Sequence, residues 1–81
     1  MNINKMHILA AHNGIQTVRQ LLIDELDELK EAIIQNYDIT QEKADVINLI
    51  YQHTYLEGDK EELEQQIDYK INRAMERLGI K

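Results

Sequence analysis

The chain contains no cysteine and no proline, and only three of its 81 residues are glycine. The missing thiols exclude a disulfide scaffold and a thiolate zinc site, and the missing proline excludes collagen-like segments and polyproline linkers. Aromatic side chains are few: four tyrosines, with no Trp and no Phe. Basic residues are also in deficit, nine Lys and Arg against fifteen Asp and Glu, for a formal charge of -6. A net acidic surface repels the phosphate backbone, so no role in general nucleic-acid binding is expected. No apolar run approaches the roughly 20 residues that span a bilayer, and Ile8-Leu9-Ala10-Ala11 is too short for the core of a signal peptide. The expectation is a cytoplasmic protein without a membrane segment, forming one domain over residues 1–81.

What is present favours helices. Leu, Ile, Glu, Lys and Gln are abundant, and a chain this short supports only a small core, about 3–5 kcal/mol, unless it forms a well-packed bundle or an oligomer. Asn13-Gly14 separates a short first segment from the rest. The block Asn36–Thr40 ends a second periodic stretch and offers Asp38 or Thr40 as an N-cap. Gly58 suits a left-handed helix end, Asp59 with Glu62 reads as a capping-box variant, and Gly79 stops the last segment. Helices are therefore expected near 4–12, 15–36, 40–57 and 59–78: an all-α, compact bundle of about four helices, one short and N-terminal and three long.

Apolar residues recur at steps of three and four. Ile15, Val18, Leu22, Leu26, Leu29 and Ile33 form one stripe, and Leu63, Ile67, Ile71, Ala74 and Leu78 another. The third segment differs, because Val46, Ile47, Leu49, Ile50, Tyr51, Tyr55 and Leu56 surround its axis. A helix apolar all round is buried on more than one side. In so small a chain this predicts oligomerisation through that central helix.

The acids divide by position around the axis. Asp24, Asp27 and Glu31 lie opposite the second segment's stripe and read as solvated. Glu25 and Glu28, one turn apart, flank the line of Leu21 and Ala32 beside that stripe. Glu42 and Asp45 repeat the spacing on the third segment, with Leu49 between them in projection. Two antiparallel helices would bring the four carboxylates together, and such a group raises its own pKa values or recruits a cation. All-oxygen ligands select Mg²⁺, Mn²⁺ or Ca²⁺ over zinc, and the Glu-x-x-His pairs of di-iron bundles are missing. By spacing alone a solvated acidic face explains the same residues equally well. Lys70, Arg73 and Arg77 edge the last stripe; they either complement the helix dipole or reach anionic groups.

At these residues the chain resembles a known family. Asp24-Glu25-Leu26-Asp27-Glu28-Leu29-Lys30-Glu31-Ala32-Ile33, followed by Glu42-Lys43-Ala44-Asp45-Val46, looks like the signature of MazG-like nucleoside triphosphate pyrophosphohydrolases, of the all-α NTP pyrophosphatase superfamily. The resemblance runs from about Ile15 to Leu78. It implies a helical bundle that forms a homodimer or a dimer of dimers, and hydrolysis of a (d)NTP between the α- and β-phosphates to a nucleoside monophosphate and pyrophosphate. It further implies Glu25, Glu28, Glu42 and Asp45 as ligands of Mg²⁺ (or Mn²⁺), with Lys70, Arg73 and Asn48 on the nucleotide. Asp24, where relatives often carry a second Glu, and Lys43, where small or apolar residues are common, depart from the pattern. The rival expectation is a non-catalytic helical interaction or regulatory module that dimerises through its apolar third helix.

Overall fold

A computed structural model describes residues 1–80 as four α-helices with no strand among the described residues: α1 (Ile3–Asn13), α2 (Ile15–Gln35), α3 (Ile39–Glu57) and α4 (Lys60–Leu78). The all-α class and the pattern of one short and three long helices are as expected. None of these helices is long and apolar enough to cross a membrane.

The boundaries follow from local chemistry. Asn2 caps α1, its side-chain oxygen accepting from the Lys5 backbone N–H at 3.0 Å. Gly14 alone joins α1 to α2: its N–H donates to the Ala10 carbonyl at 2.9 Å, and its own carbonyl accepts from Val18 N–H at 3.0 Å. The φ of 79° and ψ of 165° that this junction requires is glycine territory. Asn36 and Asp38, both at φ 55°, make the α2–α3 turn, and Tyr37 N–H closes it on the Ala32 carbonyl at 3.0 Å. Asp38 does stand at the N-cap of α3, but its side chain makes no capping bond. Side-chain capping needs an extended backbone at that position, and the left-handed turn takes it away. The capping box at Asp59 does not form either: with φ -108° and ψ 28°, Asp59 caps α4 through its carbonyl alone, which accepts from Leu63 N–H at 2.9 Å.

The three-residue turn folds α2 and α3 into an antiparallel pair, and an Arg19–Glu57 ion pair joins them at the opposite end. α1 lies across both, mainly on α3. The core is small: Met6 and Ala10 from α1, Val18 and Ala32 from α2, Val46 and Leu49 from α3. On α2 the buried face is rotated from the expected stripe. Val18 is fully enclosed, yet Leu26 and Ile33 remain 47% and 56% exposed. The buried line runs instead through Val18, Leu22, Glu25, Leu29 and Ala32, of which Leu22, Glu25 and Leu29 are half-buried. The small side chain of Ala32 lets α3 approach closely there.

α3 is the central helix and touches α1, α2 and α4. It buries Gln52 and Thr54 as well as Val46 and Leu49. Gln52 is satisfied at both ends, accepting from Asn13 Nδ2 at 3.4 Å and donating to Asn48 Oδ1 at 3.2 Å. Thr54 Oγ1 donates to the Ile50 carbonyl at 2.7 Å. His7 stacks on Tyr55 with ring centroids 3.9 Å apart, pinning α1 to α3. α4 departs from this pattern, because it contacts α3 alone and buries no residue. The radius of gyration is accordingly 14.9 Å, against about 12 Å for a compact domain of this length.

Candidate metal centre

Heptad spacing puts a glutamate in the packed seam of α2 and of α3. On α2, Glu25 stands seven residues after Val18 and seven before Ala32, so it shares their face. On α3, Ile39, Glu42, Val46 and Leu49 recur at steps of three, four and three. The antiparallel pairing turns both faces inward, and Glu25 and Glu42 meet where apolar side chains would otherwise pack. One carboxylate oxygen from each, with one from Asp45, lie within 4.8 Å of one another. Asp45 and Glu28 stand on the exposed shoulder of the same seam.

The electrostatics match this crowding. Partial burial, then the adjacent Glu28 and the charges of Asp45 and Glu42, push the Glu25 carboxyl up from 4.5 to about 7. Glu42 is also raised, by burial first and then by Glu28 and Asp45, with a partial offset from the adjacent Glu25. All four acids named from the sequence thus act on one another, although Glu28 stands outside the tight group of three oxygens. Glu25 Oε2 and Glu42 Oε2 are cut off from solvent and have no hydrogen-bond partner. An anionic oxygen left dry and unpartnered costs several kcal/mol, which a proton or a cation removes.

The donor set fits a hard divalent ion. Two oxygens bound to one ion stand no more than about 4–5 Å apart for bonds of 2.1–2.5 Å, and the three oxygens here lie within that limit. No nitrogen or sulfur belongs to the group, which disfavours zinc. Beside the acids, at the α2–α3 turn, opens a pocket of about 350 Å³ lined by Asp27, Glu28, Glu31, Asp38 and Glu42 together with Ala32, Gln35 and Tyr37. Asp27 and Glu31, which read as merely solvated in projection, face this pocket. The left-handed turn at Asn36 and Asp38 folds the chain end over that side of α2, and no sequence signal specified that geometry.

The remaining candidates fall elsewhere. Lys70 and Arg73 lie exposed on α4, which makes no contact with α2, so one chain does not bring them to the acids. Asn48 is held by Gln52 within the network that reaches Asn13. His53 Nε2 is 3.7 Å from Glu57 Oε1, near the Arg19 ion pair. Comparison with known proteins finds no matching family model, no matching curated protein and no matching solved structure.

Proposed function

We propose that the chain is a divalent-cation-dependent hydrolase of nucleoside triphosphates, cleaving a (d)NTP between its α- and β-phosphates in the manner of the MazG-like enzymes it resembles. Glu25, Glu42 and Asp45 hold Mg²⁺ or Mn²⁺, and Glu28 completes the ligand shell from the open shoulder. The observation that carries this reading is the pair of dry, unpartnered carboxylate oxygens of Glu25 and Glu42, set in the seam between two helices and converging on Asp45. A purely structural role is hard to reconcile with them, since two leucines would pack the seam at no electrostatic cost. When bound, the ion supplies Lewis-acid polarisation of phosphoryl oxygens and offsets the charge of the pyrophosphate leaving group. The chain's own part is to hold four acids on rigid helices, with an open pocket beside them that admits a polyphosphate only in company with cations. Lys70 and Arg73, which the resemblance assigns to the phosphates together with Asn48, stand clear of the acids within one chain, so the proposal rests on the acids.

A second reading, a helical interaction module without catalysis, draws on a different observation: α4 buries no residue, and large apolar side chains stand exposed on every helix. Turnover separates the two. A panel of (d)NTPs with Mg²⁺ or Mn²⁺ is scored for pyrophosphate release, and Glu42→Gln and Asp45→Asn are expected to abolish it while helicity by circular dichroism stays unchanged. The wild-type melting temperature is expected to rise with the divalent ion, and that of the variants is not. No release from any nucleotide, together with no divalent effect on melting, would leave the interaction module as the function.

A further inference from the structure

A cavity at the other end of α3 takes no part in the acid group. α1 and α4 both lie on α3 and make no contact with each other. α4 leaves α3 through the left-handed turn at Gly58, and between it and α1 opens a cavity of about 640 Å³. That volume falls within the roughly 300–1,000 Å³ of sites that hold small organic ligands. The cavity shares no lining residue with the pocket at the α2–α3 turn. Glu42 and Tyr55 stand thirteen residues apart on α3, about 20 Å along its axis.

Its walls are of two kinds. α1 and α3 supply apolar and aromatic surface: buried Met6, half-exposed Ile3, and the rings of Tyr51 and Tyr55, 40% and 47% exposed. His7, stacked on Tyr55, holds that ring in place. α4 supplies charge, from Lys60, Glu61, Glu62 and Glu64. Three carboxylates therefore stand against one ammonium, and none of the four side chains makes an ion pair among the described residues. The positive end of the α4 dipole accounts for Glu61 and Glu62. Glu64 lies beyond the first turn, three residues from Glu61 and on its side of the helix. Thr54 is buried at the α3 wall, and its hydroxyl hydrogen is committed to the Ile50 carbonyl, so its oxygen can only accept.

We propose that this cavity binds a small arylalkylammonium, a primary ammonium group carried on a short apolar body. The head meets the carboxylates of α4, and the body lies on Ile3, Tyr51 and Tyr55. A cation beside a tyrosine face gains further from the ring quadrupole. Other occupants fit less well. A phosphate-bearing ligand is repelled by the three carboxylates. A bare divalent ion needs converging oxygens, and among the described residues the one such group of three acids is Glu25, Glu42 and Asp45. A neutral apolar ligand would take water from the α4 carboxylates and return nothing to them. The site stands whether or not the acids between α2 and α3 bind an ion.

The test follows backbone amides of the ¹⁵N-labelled chain by NMR as 2-phenylethylamine is added at pH 7 in millimolar Mg²⁺. It is repeated with 2-phenylethanol and 3-phenylpropanoate, which keep the ring and change the head. Saturable shifts at Met6, Tyr51, Thr54 and Glu64 are expected at low millimolar amine, with the alcohol about tenfold weaker and the carboxylate not binding. Glu61→Gln and Glu64→Gln in one chain should weaken the amine about fivefold and leave the alcohol unchanged. Tyr51→Leu should weaken it about threefold, whereas Tyr51→Phe, which keeps the ring, should match the wild type. Shifts centred on Glu25 and Asp45 would overturn the site, since they mean general attraction to an acidic chain. So would an alcohol that binds as tightly as the amine, an affinity indifferent to the double substitution, or no saturation at all.

Discussion

Without a divalent ion, the Glu25 carboxyl should make the folded chain less stable as pH rises, and Glu25→Gln should remove that dependence. The folded state holds this proton up to about pH 7 against an ordinary value of 4.5. An acid whose pKa is raised on folding binds its proton more tightly in the folded chain. Below pH 4.5 both states are protonated and nothing is lost; between 4.5 and 7 the folded state progressively loses stability; above 7 the full cost is present. A fully dry group displaced this far would account for about 3 kcal/mol. Glu25 is only half-buried, and solvent screening reduces the figure to roughly 1 kcal/mol. For a domain of this size that corresponds to about 4–8 °C in melting temperature. The assay is thermal unfolding followed by circular dichroism at pH 5 and pH 8 in chelated buffer. Wild type should lose about 4–8 °C more than Glu25→Gln over this interval, and the variant should be the more stable protein at pH 8. Millimolar Mg²⁺ should reverse that order, since only the wild type keeps the complete ligand set. Superimposable pH profiles for the two proteins would refute the account of a crowded, partly dry carboxylate group.

Two further outcomes test the scaffold. Val18 is fully enclosed at the contact of the helices, so Val18→Ala should cost about 2 kcal/mol in urea unfolding, with the transition remaining cooperative. Gly58 has φ 71° and nothing within 4 Å of an added Cβ. Gly58→Ala should therefore cost only backbone strain, about 1 kcal/mol, and a loss several times larger would refute an open α3–α4 junction.

Much of the secondary structure was legible because local rules suffice for it. Glycine at 14, 58 and 79 and the Asn36–Asp38 block ended helices where the backbone needed left-handed or other positive-φ conformations, so all four helices begin and end within a residue of the expected positions. Capping was less legible. Asp38 and Asp59 have the right chemistry, but whether a carboxylate reaches the first free N–H groups depends on the φ and ψ of its own residue, which the neighbouring turn sets.

Helical periodicity and a short connection let the spacing of Glu25, Glu28, Glu42 and Asp45 be read as a gathered group, but that spacing left a solvated acidic face equally open. Which of them would lie in the seam was decided only by tertiary packing. Apolar count favours Leu26 and Ile33, yet close approach of two helices favours small side chains, and Val18 and Ala32 draw the face of α2 round toward Glu25. The pocket at the turn, the Arg19–Glu57 closure and the position of α4 likewise depend on contacts between residues far apart in the chain. Helices, their ends and their charge pattern are local properties that one sequence carries by itself. The rotation of each helix about its axis and the direction in which α4 leaves α3 are set by competition among whole surfaces for burial, and that competition exists only in three dimensions.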